Sequence, residues 1–177
     1  MKTLKLLSLL FIATLASCSS VYVNADYDKN ATFSNYKTYA YMKNNLDNIA
    51  ISDFDKKRIL NAIDEVMATK GFTKSESPDI IINIFTKERE RVDIYQNYGV
   101  GWGWNPYWGI GMNRSTVTTT PEGTLILDFI DQKTKELVWQ GQGTGYLTQN
   151  RDKKEAVIKE FVSRILAQYP PQIKKEN

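Results

Sequence analysis

Apolar residues recur at a period of two along parts of this chain and at helical spacing along two others. Val21-Tyr22-Val23 and the stretch from Tyr36 to Met42 (YKTYAYM) are rich in aromatic and β-branched residues and predict strands. From Ser52 the pattern changes. Ile59, Leu60, Ile63, Val66 and Met67 fall on one helical stripe. Ser52 and Asp55 form a capping box at its start, and Gly71 ends it where a left-handed residue is wanted. After the turn at Ser77-Pro78, DIIINIFT predicts an inner strand. The alternating charges KERER (Lys87 to Arg91) predict a solvated hairpin tip leading into VDIYQNY.

The second half repeats the scheme. In GTLILDFID (Gly123 to Asp131), Leu125, Leu127 and Phe129 share one face, and QKTKE turns the chain into LVWQGQGTGY. There Trp139, Gly141, Gly143 and Gly145 share a face. Three glycines at period two make a shallow floor that a helix or loop can approach closely. Asp152 and Glu155 predict the capping box of a last helix. Its buried stripe is Val157, Ile158, Phe161, Val162, Ile165 and Leu166, and Pro170-Pro171 stops it. The expected order is ββαββββα. Hairpin-length connections make this an α+β fold, a mostly antiparallel sheet of about six strands with two helices on one face.

The N-terminus has a different grammar. Lys2 and Lys5 precede an apolar run from Leu6 to Ala13, and small residues follow just before Cys18. That is the layout of an export signal. The apolar run is about half the roughly 20 residues that span a bilayer as a helix. Cys18 is the sole cysteine, so it has no partner within its own chain. Leu15-Ala16-Ser17-Cys18 resembles the bacterial lipobox, and the resemblance implies a diacylglyceryl group on the Cys18 sulfur and cleavage before it. The expected organisation is a signal peptide at 1–17, a lipidated cysteine and short tether at 18–20, one domain at 21–172 and a polar tail at 173–177. Two or more acyl chains hold a protein firmly where one holds it marginally. Ser19 and Ser20 lack the aspartate that resembles an inner-membrane retention signal. The expectation is the periplasmic face of an outer membrane.

Charge changes the picture little. The chain has 23 basic and 20 acidic side chains, and losing Lys2 and Lys5 with the signal leaves a net charge near +1. The basic residues are scattered among acids, so no nucleic-acid footprint is present. Histidine is absent altogether. That removes Ser-His-Asp, Cys-His and His-ligated metal chemistry. The remaining candidates are carboxylates at turns, Asp128, Asp131 and Glu136 in one group and Asp26 and Asp28 in another. The expectation for both groups is solvation or bonding to backbone amides. No catalytic residue, metal or cofactor is assigned, and the chain is expected not to be an enzyme.

The segment YGVGWGWNPYWGIGM (Tyr98 to Met112) holds three of the four tryptophans and half of the ten glycines. It fails G-x-G-x-x-G in both registers and opens no helix, so it is not a nucleotide loop. Three readings stay open: the tryptophans fold back over the glycine floor or the open sheet face; the loop recognises an envelope protein or glycan; or it dips into the headgroup level of a bilayer. The contact candidates are Trp102, Trp104, Tyr107 and Trp108.

From about Asn24 to Pro171 the chain resembles the lipoproteins of domain-of-unknown-function family 4136. The pieces are DYDKNATFSNYKTYAY, KGF followed by PDIIINI, GTLILDFIDQKTKELVWQG and the closing YPP. The resemblance implies a periplasm-facing lipoprotein domain and no catalytic residues. The expected function is a lipid-anchored, non-enzymatic binding or structural module of the cell envelope. The alternative is a carrier holding a small lipid or glycan between the sheet and the Gly/Trp-rich loop.

Overall fold

A computed structural model describes residues 21–43, 51–96, 115–148 and 150–172, with 90–96 and 115–120 described through their backbone. The strands are β1 (Val21–Tyr27), β2 (Thr38–Tyr41), β3 (Thr73–Lys74), β4 (Ile80–Gln96), β5 (Ser115–Asp131) and β6 (Leu137–Tyr146). The helices are α1 (Asp53–Thr69), between β2 and β3, and α2 (Arg151–Leu166), after β6. The order is the expected ββαββββα, and the fold is α+β. Six strands form one sheet in the order β1-β6-β5-β4-β2-β3. β1, β6, β5 and β4 are antiparallel neighbours, while β2 runs parallel to both β4 and β3.

One strand boundary differs from the expected one. KERER is no hairpin tip but lies inside β4, which continues to Gln96 paired with Ser115. Lys87, Glu88 and Arg89 are exposed. Charge at every position marked contact with water rather than a reversal of the chain. The additional strand is the two-residue β3, too short to leave a pattern.

The helix signals act as their chemistry requires. Ser52 Oγ accepts from the Asp55 amide at 3.1 Å, and Gly71 takes φ +81° just beyond α1. Ile59, Ala62, Ile63 and Met67 are the buried residues of α1. For α2 the cap is Asn150, whose side-chain oxygen accepts from the Asp152 amide at 2.9 Å. The expected Asp152–Glu155 box does not form, because Asn150 already caps the helix two residues earlier. α2 buries Phe161, Val162, Ile165 and Leu166.

The glycine floor lies under α2. A Cβ on Gly143 would sit 2.9 Å from Ile165 Cδ1, and one on Gly141 2.6 Å from Ile165 Cγ2. The fold-back reading of the aromatic segment therefore loses the floor as a surface to cover. Beside it, Trp139, Phe129 and Tyr169 form the centre of the core, with ring centroids 4.7–5.3 Å apart. Such tilted and edge-on aromatic contacts add to the stabilisation from burial itself.

Candidate functional site

The most unusual feature is the unequal length of the strands. β6 covers β5 only from Glu122 to Ile130, and β2 covers β4 only from Ile80 to Ile82. Residues 90–96 and 115–121 therefore pair only with each other among the described strands. This two-stranded ribbon extends about 23 Å beyond the sheet at roughly 3.4 Å per residue. Residues 97–114 join its ends.

The start of β1 belongs to the same end of the sheet. Val21 is opposite Gly145, Gly145 opposite Gly123, and Gly123 opposite Glu88. From that level β4 continues up the ribbon, while β1 starts at Val21 and runs the opposite way. Val21 and the ribbon thus lie at one end of the sheet. Arg89 Nε donates to Glu122 Oε2 at 2.5 Å at the ribbon's base, where Glu122 is buried.

Below the base is an open cavity of about 160 Å³ between the first turns of both helices and the sheet. Its walls include Ile59, Leu125, Leu147, Val157, Ile158 and Phe161. Of the charged residues that line it, Asp55 accepts from Lys154 Nζ at 2.8 Å and also from Arg58 at 2.7 Å, while Lys87 and Glu88 on β4 are exposed. Burial pushes the Asp55 carboxyl up, but these cations and Ser52 hold it below its ordinary value. The cavity therefore presents hydrocarbon, with no free charge aimed inward from this pair.

The candidate carboxylates have structural partners. Asp131 accepts from the amides of Lys133 and Thr134 and from Tyr36 Oη at 2.9 Å, organising the turn into β6. Against the effect of burial, those bonds and the Lys133 charge lower its pKa. Burial, followed by the bond to Asp131, pushes the Tyr36 phenol up to about 12. Asp128 lies on the helix-free sheet face and accepts from Gln140 Nε2 at 2.7 Å; burial raises its pKa. Asp26 and Asp28 accept from nearby backbone amides. Glu136 is an exposed turn residue whose amide donates to Thr134 Oγ1. No group of three or more acidic or thiol side chains is placed to hold a metal among the described residues.

Sequence reasoning missed a polar cluster on the parallel side. Asp64 on α1 accepts from Tyr39 Oη at 2.8 Å, Tyr41 Oη at 2.7 Å and Lys74 Nζ at 2.6 Å. Burial, then the bond to Asp64, raises both tyrosine pKa values. The only advance signal was Tyr39 and Tyr41 at period two in YKTYAYM. Their cluster ties β2 and β3 to α1 and reads as architecture. The expected contact residues Trp102, Trp104, Tyr107 and Trp108 lie outside the described residues. So do Cys18, the signal at 1–17, the tether at 18–20 and the tail at 173–177.

With the ribbon, cavity and core in place, comparison with known proteins decides the family. A model for a domain of unknown function, family 4136, matches residues 23–171. The chain belongs to that family. No curated protein matches it. Among solved structures, the fold is similar to a PDZ domain protein from Parabacteroides distasonis, at 16% identity and a TM-score of 0.52. That match covers 87% of this chain but only 37% of the other. It is also similar to PelC from Paraburkholderia phytofirmans, solved as a dodecamer, at 11% identity and a TM-score of 0.50, covering 83% and 96% of the two chains. At such identities the likeness concerns the fold of this family member alone.

Proposed function

We propose that this chain is an exported lipoprotein, anchored through lipid on Cys18 at the periplasmic face of an outer membrane. It acts as a non-enzymatic binding or structural module of the cell envelope. The supporting observation is that Val21, the first residue of β1, lies at the end of the sheet from which the ribbon extends. Cys18 is three residues before Val21, a reach of at most about 10 Å. From the level of Val21 the ribbon runs from Glu88 to Gln96, about 27 Å. A tether shorter than the arm cannot hold an upright arm clear of the bilayer.

The segment closing the ribbon therefore meets the headgroup region, the level that Trp and Tyr favour. Trp102, Trp104, Tyr107 and Trp108 make that contact, with lipid headgroups or with an envelope protein or glycan at the same depth. The amphipathic rings rest there while the domain stays in water.

The anchor is tested in the native host. Radiolabelled palmitate should enter the wild-type chain, and Cys18→Ser should abolish both labelling and membrane association. A wild-type chain without label, or a Cys18→Ser chain that localises identically, would contradict the anchor.

A second reading, the small-ligand carrier, is favoured by the cavity at the ribbon's base. Its apolar walls suit hydrocarbon better than sugar. Its 160 Å³ is close to the roughly 150 Å³ of an apolar cavity that admits benzene. It holds the end of a lipid tail, not a whole lipid.

A further inference from the structure

Val21 stands close to the apolar cavity at the ribbon's base. It is opposite Gly145, and Gly145 is opposite Gly123, a wall residue of that cavity. Directly opposed residues of antiparallel strands share a face. Val21, buried itself, is therefore on the same side of the sheet as the cavity. Leu147, another wall residue, follows Gly145 by two positions and donates its amide to the Pro121 carbonyl at 3.0 Å. Two residues advance about 7 Å and one strand spacing adds about 4.8 Å sideways, so this wall is within about 10 Å of Val21.

The cavity's size and chemistry narrow its occupant. Its 160 Å³ matches the hydrocarbon of a ring of about six carbons. Leu125, Val157 and Phe161 line it, Asp55 and Lys154 bond to each other, and Lys87 and Glu88 are exposed to water. Such a space takes the apolar end of a chain whose polar end stays outside.

Cys18 is three residues before Val21, a reach of at most about 10 Å. With the tether at right angles to the path toward Leu147, the sulfur is about 14 Å from the wall. A long acyl tail spans half of the roughly 30 Å hydrocarbon core of a bilayer, enough to cross that gap. A tail held on the same chain also has an effective concentration of order mM. Each methylene withdrawn from water is a gain.

We infer that, away from a bilayer, this cavity shelters the end of one acyl tail of the chain's own Cys18 lipid. The inference rests on the lipidation of Cys18 proposed above. At a bilayer the surrounding hydrocarbon competes for the same tail.

The test grows the native host on a long-chain fatty acid with a photoreactive diazirine near its methyl end. The full chain is purified, freed of detergent, mixed with isotope-labelled chain and irradiated, and crosslinked peptides are mapped by mass spectrometry. The main adducts should join the Cys18 peptide to Leu125, Leu147 or residues 157–161 of the same chain, at least fivefold above any other site. Val157→Trp, which fills the cavity, should lower them at least fivefold with the label on Cys18 unchanged. A labelled chain whose adducts lie elsewhere or between chains, or a yield that Val157→Trp leaves untouched, would overturn the inference. The map of the unaltered chain decides where that variant folds poorly. Cavity adducts that persist in Cys18→Ser would assign the space to a free fatty acid and overturn it too. A chain with no probe on Cys18 contradicts the anchor, and the inference falls with it.

Discussion

Gly141→Ala is expected to lower unfolding free energy by about 3 kcal/mol, the upper part of the usual range for overpacking a core. For a chain of this size that is a fall in melting temperature of about 6–12 °C. The new methyl would fall inside van der Waals distance of Trp139 Cη2 and 2.6 Å from Ile165 Cγ2. Neither atom can retreat, since Trp139 and Ile165 are both fully buried. Gly143→Ala meets Ile165 Cδ1 and Cγ1 at 2.9 Å, a milder overlap with one side chain rather than two, and should cost less. Gly123→Ala meets Leu147, which borders the open cavity and has space to turn. Its cost should stay below about 1 kcal/mol, because alanine also relieves the entropic penalty of glycine in a strand. Thermal or denaturant unfolding of the three variants checks the ranking. Equal costs would mean that α2 does not rest on this floor.

Trp139→Ala should cost more, about 3–5 kcal/mol, the range for deleting a large buried aromatic. Its ring centroid is 4.8 Å from Phe129 and 5.3 Å from Tyr169, so the deletion removes the middle of the aromatic cluster. Trp139→Phe should be much milder. It keeps most of the contact and deletes an indole N–H that has no partner, whose burial is itself unfavourable by about 1–3 kcal/mol. It also removes the ring atoms that the Gly141 methyl would strike. The Gly141→Ala penalty should therefore shrink by at least about 1 kcal/mol in the Trp139→Phe background, a coupling that a double-mutant cycle reads directly. Additive costs would mean that the two positions do not share the space described.

Core and site were legible to different degrees. Period-two stripes such as Leu125, Leu127 and Phe129, and the helical stripes of α1 and α2, could be read because burial leaves a repeating mark. The glycine floor could be read for the same reason, as a missing side chain at every second position. The length of β4 could not. A ribbon beyond the sheet need bury no continuous face, so KERER looked like a loop. Asn150 was passed over because Asp152 and Glu155 offered a second, equally good cap two residues on. The Asp64 cluster joins residues far apart in the chain, Tyr39, Asp64 and Lys74, and leaves no local pattern.

For the proposed function, what matters is the direction in which the ribbon points relative to the lipid proposed on Cys18. Tryptophan emission from the acylated chain in vesicles containing bromine-labelled lipid measures it. Bromine quenches indoles at the bilayer, while Trp139 sits in the core and is out of reach. The account predicts strong quenching that disappears when Trp102, Trp104 and Trp108 are all replaced by serine. Quenching no greater in the wild-type chain than in that variant would show the ribbon turned away from the membrane and contradict the account.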